Sequence, residues 1–186
     1  MGTAKPPAPV KLIAGLLAAS DGLLDAARRA LGDQFGTMDA TSEVSAWTHS
    51  AYYRDEMGDA IRRQFVTFAR LVAPDELVGL KQLSNRLEQA WCTAAGRQVN
   101  IDPGYLATDK LVLASTKDAA HRIYLGNGIY AEVTLHFCNG SFQPYAHSYR
   151  DYAAPEAIAF FNRARAQYLV QRRDALPANG HRAAAT

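Results

Sequence analysis

Cysteine is scarce. Only Cys92 and Cys138 occur in 186 residues, too few and too far apart for a disulfide framework or a C-x-x-C metal or redox motif. The expectation is two free thiols in a reducing cytoplasm. Long apolar runs are missing too: the longest, Leu12 to Ala19, has eight residues and is too short to cross a bilayer. Behind Lys5 and Lys11 it has the look of a signal-peptide core, but it reads equally as a buried first strand, and the strand is preferred. Met1-Gly2 opens like a myristoylation site, yet Pro6 stands where that motif needs Ser or Thr. Charge of one sign is lacking as well. The formal net charge is +2, and Arg172, Arg173 and Arg182 against Asp174 account for all of it, leaving 17 basic and 17 acidic residues in positions 1–171. A neutral body disfavours a protein that neutralises many phosphates or sits on a membrane surface.

What is present is enough for one sizeable core: 48% of residues are hydrophobic and 20% charged, as expected for one domain. Residues 1–9, with Pro6, Pro7 and Pro9, form an extended arm. Residues 10–171 form the domain, and residues 172–186 a tail with Pro177 and Gly180. Val10 to Ala19 predicts a buried strand, and Ser20 caps a helix through about Leu31 that Gly32 and Gly36 stop. Glu43 to Thr48 predicts a short strand, Tyr52 to Asp59 a loop or one helical turn, and Arg63 to Leu71 a strand. Pro74, Asp75 and Glu76 open a second helix that ends before Gly96. Val99 to Asp102 and Lys110 to Ser115 are candidate strands around a Pro103-Gly104 turn, the second, with Leu111, Val112 and Leu113, reading also as helix, and Pro155 opens a last helix. The expected fold is an α+β sandwich with a ferredoxin-like start, a mainly antiparallel sheet and three principal helices.

Register decides what residues 121–138 can do. A three-residue loop, Gly126-Asn127-Gly128, sets Ile123 against Ala131, Arg122 against Glu132 and Tyr124 against Tyr130. The expectation is one buried apolar face, carrying Ile123 and Leu125 with His121 opposite Val133, and one polar face.

The string Asn100 to Leu106 (NIDPGYL), Lys110 to Asp118 (KLVLASTKD) and His121 to Leu135 (HRIYLGNGIYAEVTL), with Lys11 to Gly15 and Tyr52 to Gly58 (YYRDEMG), resembles a bacterial family, domain of unknown function DUF4416, over about residues 10 to 170. The resemblance implies no established activity. Some members carry an automatic GTP-binding label, but a P-loop needs G-x-x-x-x-G-K-[S/T] so that backbone amides cradle the phosphates, and no such string occurs. In Thr116-Lys117-Asp118, Ala119 sits where a guanine-reading T-K-x-D motif has its aspartate.

Several residues carry chemistry. Arg122 with Glu132 is either an anion-binding arginine beside a general base or a cross-strand ion pair. Asp102 either positions a ligand or forms a turn. Thr116 and Lys117 lie in a polar loop suited to phosphate or carboxylate, and His121 beside it is a proton-transfer candidate or a half-buried core histidine. Tyr105, Tyr124 and Tyr130 belong to a tyrosine-rich stretch that would orient a ligand, stack bases or simply pack. Glu132, His136, Cys138 and His147 could be arranged around zinc, but their spacing matches no ligand pattern and no metal is expected. No G-x-S-x-G elbow is present, and no cofactor or oligomeric state is legible. The first reading is a small-molecule protein that binds an anion through Lys117 and Arg122, with His121 or Glu132 moving a proton. The alternative is a non-catalytic RNA- or protein-binding module on the same aromatic face, with nucleic acid disfavoured by five basic against four acidic residues over positions 97–150.

Overall fold

The structure, a computed structural model, describes residues 2–48 and 52–175. Along the chain come β1 (Val10–Ala18), α1 (Asp21–Phe35), β2 (Met38–Thr41), β3 (Ser45–Ala46), α2 (Arg54–Met57) and β4 (Arg62–Val72). A 3-10 turn at Pro74–Glu76 leads into α3 (Leu77–Gln89), followed by β5 (Cys92–Thr93) and β6 (Gly96–Arg97). The second half holds β7 (Val99–Leu106), β8 (Lys110–Ser115), β9 (Arg122–Gly126), β10 (Ile129–Cys138), β11 (Ser141–Pro144) and α4 (Pro155–Ala175).

The main sheet runs β11-β10-β8-β7-β1-β4-β2, antiparallel at every pairing, with β3 on β4 and β9 on β10. The four strands β7-β1-β4-β2 with α1 and α3 as crossovers are the expected ferredoxin-like unit; β8 to β11 extend it past β7. Every residue of β1 is buried, so both faces of the sheet are covered there. Leu12, Ala14 and Leu16 pack with Leu24, Ala27 and Leu31 of α1 and with Leu80 of α3. Ile13 and Phe65 pack on the opposite side with Phe160, Phe161 and Ala164 of α4. Ser20 accepts from the Leu23 amide and starts α1. The helix runs through Gly32 and ends only at Gly36, whose φ of 95° favours glycine.

Four expectations need correction, and one strand, β2, was not expected at all. Pro103-Gly104 is no turn but the middle of β7, the reversal falling instead between β7 and β8. β2 did not stand out in the sequence, because its four residues are only partly covered. The hairpin keeps the Arg122/Glu132, Ile123/Ala131 and Tyr124/Tyr130 pairs, but Ile129 lies opposite Gly126, so Leu125 is bulged and Asn127-Gly128, both at positive φ, make the turn. The burial divides differently on the two strands: on β10 the apolar side is covered as expected, with Ile129 2% exposed and Ala131 and Val133 packed in the same cluster as Leu77, whereas Ile123 on β9 is 70% exposed and Glu132, on the polar side, only 1%, because β9 lies at the margin of the sheet and pairs with β10. His121 bonds Glu132 rather than facing Val133.

At the edge of the sheet a buried lysine ties three elements together. Lys11 Nζ, on β1, donates to Asp39 Oδ2 (2.6 Å), the Phe68 carbonyl (3.1 Å) and Gln171 Oε1 of α4 (2.9 Å). Asp39 also accepts from Thr67 (2.6 Å) and Gln167 (2.8 Å). Burial pulls the Lys11 ammonium below its ordinary value. It works to raise the Asp39 carboxyl too, but the bonds from Lys11 and Thr67 outweigh it and hold that group low. Breaking one partner of such a pair leaves a buried charge. Asp39→Leu should therefore cost about 3–5 kcal/mol in urea unfolding, and the double variant with Lys11→Met should recover most of that loss.

Candidate functional site

β8 pairs with β7 only over Gly104–Leu106, so the first half of β7 has an open edge. Side chains of α3 close it: the Ile101 amide donates to Glu88 Oε1 (2.6 Å) and the Ile101 carbonyl accepts from Lys81 Nζ (2.9 Å). By strand alternation Pro103 turns its missing N–H to this same edge, where no ladder bond is lost. Gly104 marks the junction, since a Cβ there would run into the Val112 carbonyl and the Leu113 side chain.

The separation leaves a cleft of about 880 Å³. Its β7 and α3 side carries Asn100, Asp102, Lys81 and Glu88; the facing side carries Ser115, Thr116 and Lys117 after β8 and the segment from His147 to Tyr152; Trp47, Tyr52, Tyr53 and Arg97 border it. Five cationic side chains (Arg63, Lys81, Arg97, Lys117, Arg150) meet three carboxylates (Glu88, Asp102, Asp151) in this lining.

The floor is a linked row. Glu56 takes Arg97 in a fork (2.9 and 3.2 Å), Arg97 donates to Asn100 Oδ1 (3.0 Å), Asn100 donates to Asp102 Oδ2 (2.7 Å), and Lys81 reaches Asp102 Oδ1 (3.3 Å). The Arg97 bonds hold the Glu56 carboxyl below its ordinary value against the effect of burial. Deeper lies Arg63, 4% exposed, paired with Asp151 at 2.5 Å and set over the Phe65 and Tyr152 rings at 4.3 and 5.0 Å. Its Nε has no hydrogen-bond partner. Gly15 makes room, because any Cβ there would meet the Tyr152 hydroxyl and the Arg63 guanidinium.

Of the residues singled out in sequence, Asp102, Thr116 and Lys117 line the cleft. Lys117 Nζ donates to the Tyr52 hydroxyl (2.6 Å) and sits 4.3 Å from that ring; among the described residues no carboxylate lies within ion-pair distance of it. Arg122 and Glu132 stand behind the wall. Glu132 accepts from Arg122 (3.0 Å), His121 (3.2 Å) and Thr134 (3.1 Å), so its oxygens face protein rather than solvent. His121 stacks on His147 at 4.4 Å, and His147 is the ring that borders the cleft. Tyr105 packs beneath α3 instead, and Tyr124 pairs with Tyr130 at 5.2 Å on the hairpin, outside the cleft. Among the described residues no three His, Cys, Asp or Glu side chains come together as a metal site, so Glu132, His136, Cys138 and His147 form none.

Sequence reasoning missed Arg63, Asp151, Arg97 and Glu88, and it noticed Tyr149 only as one of six tyrosines between residues 105 and 152. Arg63 did leave a signal, because strand alternation puts it on the same face as Phe65.

The family model for domain of unknown function DUF4416 matches residues 8–168. The chain belongs to this family. No curated protein and no solved structure matches it, so the DUF4416 assignment brings no activity, and the cleft has to be read from its own chemistry.

Glu88 offers a direct check on the electrostatics. Burial pushes its carboxyl above the ordinary value, with Lys81 and the Ile101 amide offsetting only part of the effect. A carboxyl raised in the folded state costs stability as pH climbs from below 4.5 through its folded value. In Glu88→Gln, which keeps an oxygen for Ile101, the melting temperature relative to the parent should rise from pH 4 to pH 7, as read by calorimetry. A difference independent of pH would contradict the placement.

Proposed function

We propose that this DUF4416 protein binds a small anionic ligand in the cleft between β7 and β8. One observation carries the reading: a 22-residue lining with a cationic surplus, in which Lys117 has no carboxylate partner among the described residues. The size suits a small molecule, and the lining sets Trp47 and four tyrosines among mostly charged and polar side chains, as a charged ligand needs. Asp102 serves the ligand from the floor and Thr116 and Lys117 from the facing loop. Arg122, His121 and Glu132 support that loop from behind, and Tyr105, Tyr124 and Tyr130 take no part. The free thiols of Cys92 and Cys138 fit a cytoplasmic setting. Among the described residues no helix is long and apolar enough to cross a membrane.

The alternative, an RNA- or protein-binding module, has its own support in the exposed run Ile123, Tyr124 and Leu125 (70, 59 and 42%). Calorimetric titration of the full chain separates the two. Inorganic phosphate or benzoate should bind saturably, and Lys117→Ala should weaken the better of them about tenfold, or ~1.4 kcal/mol, with an unchanged melting temperature because Lys117 is exposed. Failure of both anions to bind, or a neutral Lys117→Ala, overturns the cleft reading. Binding of a single-stranded RNA instead, falling steeply with salt, would favour the module.

A further inference from the structure

The anion-binding reading leaves open which anion the cleft receives, and the hydrogen bonds of Arg122 bear on that. Its side chain is 8% exposed and all three of its nitrogens are engaged: Nε donates to Glu132 Oε2 (3.0 Å), Nη1 to the Lys117 carbonyl (2.8 Å) and Nη2 to the Tyr149 hydroxyl (2.7 Å). One guanidinium thus fixes the loop that carries Lys117 and the tyrosine facing it, with Glu132 as the buried counterion.

This arrangement sets the direction of Tyr149. A guanidinium has only donors, so the Tyr149 oxygen must accept from Arg122 and turn its own proton elsewhere. Among the described residues no acceptor takes that proton, and Tyr149 borders the cleft. Burial, followed by the Glu132 carboxylate, pushes the hydroxyl up to about 12 against the pull of Arg122, so it keeps its proton at neutral pH. Beside it, the Lys117 amide donates to Ser115 Oγ (3.1 Å), which leaves the Ser115 hydroxyl proton for another acceptor. Thr116 adds a second hydroxyl to the same stretch of the lining.

Apart from Arg63 Nε, buried beneath the floor, and Arg150 at the rim, the donors left over are an ammonium and hydroxyls, approaching from two sides. The guanidinium forks that would grip a planar carboxylate are occupied elsewhere: Arg97 holds Glu56, Arg63 holds Asp151 and Arg122 holds Glu132. Arg150, exposed at the rim, is the other arginine in the lining. A carboxylate has two coplanar oxygens matched to such a fork, whereas a phosphoryl group presents three oxygens in a pyramid suited to separate point donors.

Resting on the anion-binding reading above, we propose that the ligand's anionic group is phosphoryl, received by Lys117, Tyr149 and the Ser115 and Thr116 hydroxyls, with Arg122 as the positioning residue that holds them in place.

Phenyl phosphate and benzoate, which share a ring and differ in head group, test this by calorimetry on the full chain. Phenyl phosphate should bind at least tenfold tighter than benzoate. Tyr149→Phe should weaken phenyl phosphate about tenfold and benzoate little. Arg122→Lys, unable to bridge Lys117 and Tyr149, should lower the same selectivity ratio, whereas a purely structural loss would weaken both ligands alike. Equal binding of the two, a preference for benzoate that Arg150→Lys abolishes, or an unchanged ratio in Tyr149→Phe overturns the phosphoryl assignment while the cleft still binds anions. If the parent protein binds neither probe, the anion-binding reading falls and this one with it.

Discussion

The parting of β8 from β7 at Gly104 is the constraint on which the rest of the molecule depends. Two strands cannot separate inside a domain without stranding backbone groups, and a buried N–H or C=O without a partner costs on the order of 1–3 kcal/mol. Here the Ile101 amide and carbonyl are taken by Glu88 and Lys81, so α3 serves as a substitute strand made of side chains. Proline on the parted edge and glycine at the junction are the two residues that geometry requires. The cleft is the space this substitution leaves, and the charged groups that close the edge also enter its lining.

Charge is handled in the same manner elsewhere. Lys11 with Asp39, Arg63 with Asp151 and Arg122 with Glu132 are all deeply buried, and none is a simple stabiliser, since desolvation offsets most of what such pairs gain. Each instead fixes one element against another. Lys11 joins β1, β2 and α4; Arg63 joins β4 to the segment before α4; Arg122 joins the loop after β8 to Tyr149. The last two meet at the cleft, which gives its walls a fixed spacing on a scaffold otherwise held by apolar packing.

The ferredoxin-like half was legible because its cues are local: a fully apolar β1, a serine cap, Pro74 before α3, and alternation along β4. The Arg122/Glu132 and Tyr124/Tyr130 pairs of the hairpin were legible because only one register gathers the apolar side chains on one side, but the turn was not, since the bulge at Leu125 lets Asn127-Gly128 close it without shifting those pairs. The exposure of Ile123 and the burial of Glu132 were not legible either, because they depend on where the other elements lie, and β9 projects past them. The cleft was legible only in fragments. Asp102, Thr116 and Lys117 stand out as polar residues beside apolar runs, but Arg63 and Asp151 meet only after α4 has packed, and Glu88 lies on a helix that reads as amphipathic. Sites formed where strands separate leave no motif, because the separation is a property of the sheet.

The placement of α4 sets an order of events. Phe160, Phe161, Ala164 and Tyr168 cover Ile13, Phe65, Leu113 and Leu135, residues drawn from nearly the full width of the sheet, and among the described residues α4 follows every strand. During synthesis the α1 and α3 face has all its elements once β7 has emerged, while the opposite face stays bare until α4 leaves the ribosome. In that interval the nascent protein is a half-clad sheet with an apolar side open to chaperones or to other nascent chains. Lys11 lacks Gln171 for as long, so β1, made well before α4, waits for that helix to complete its polar contacts.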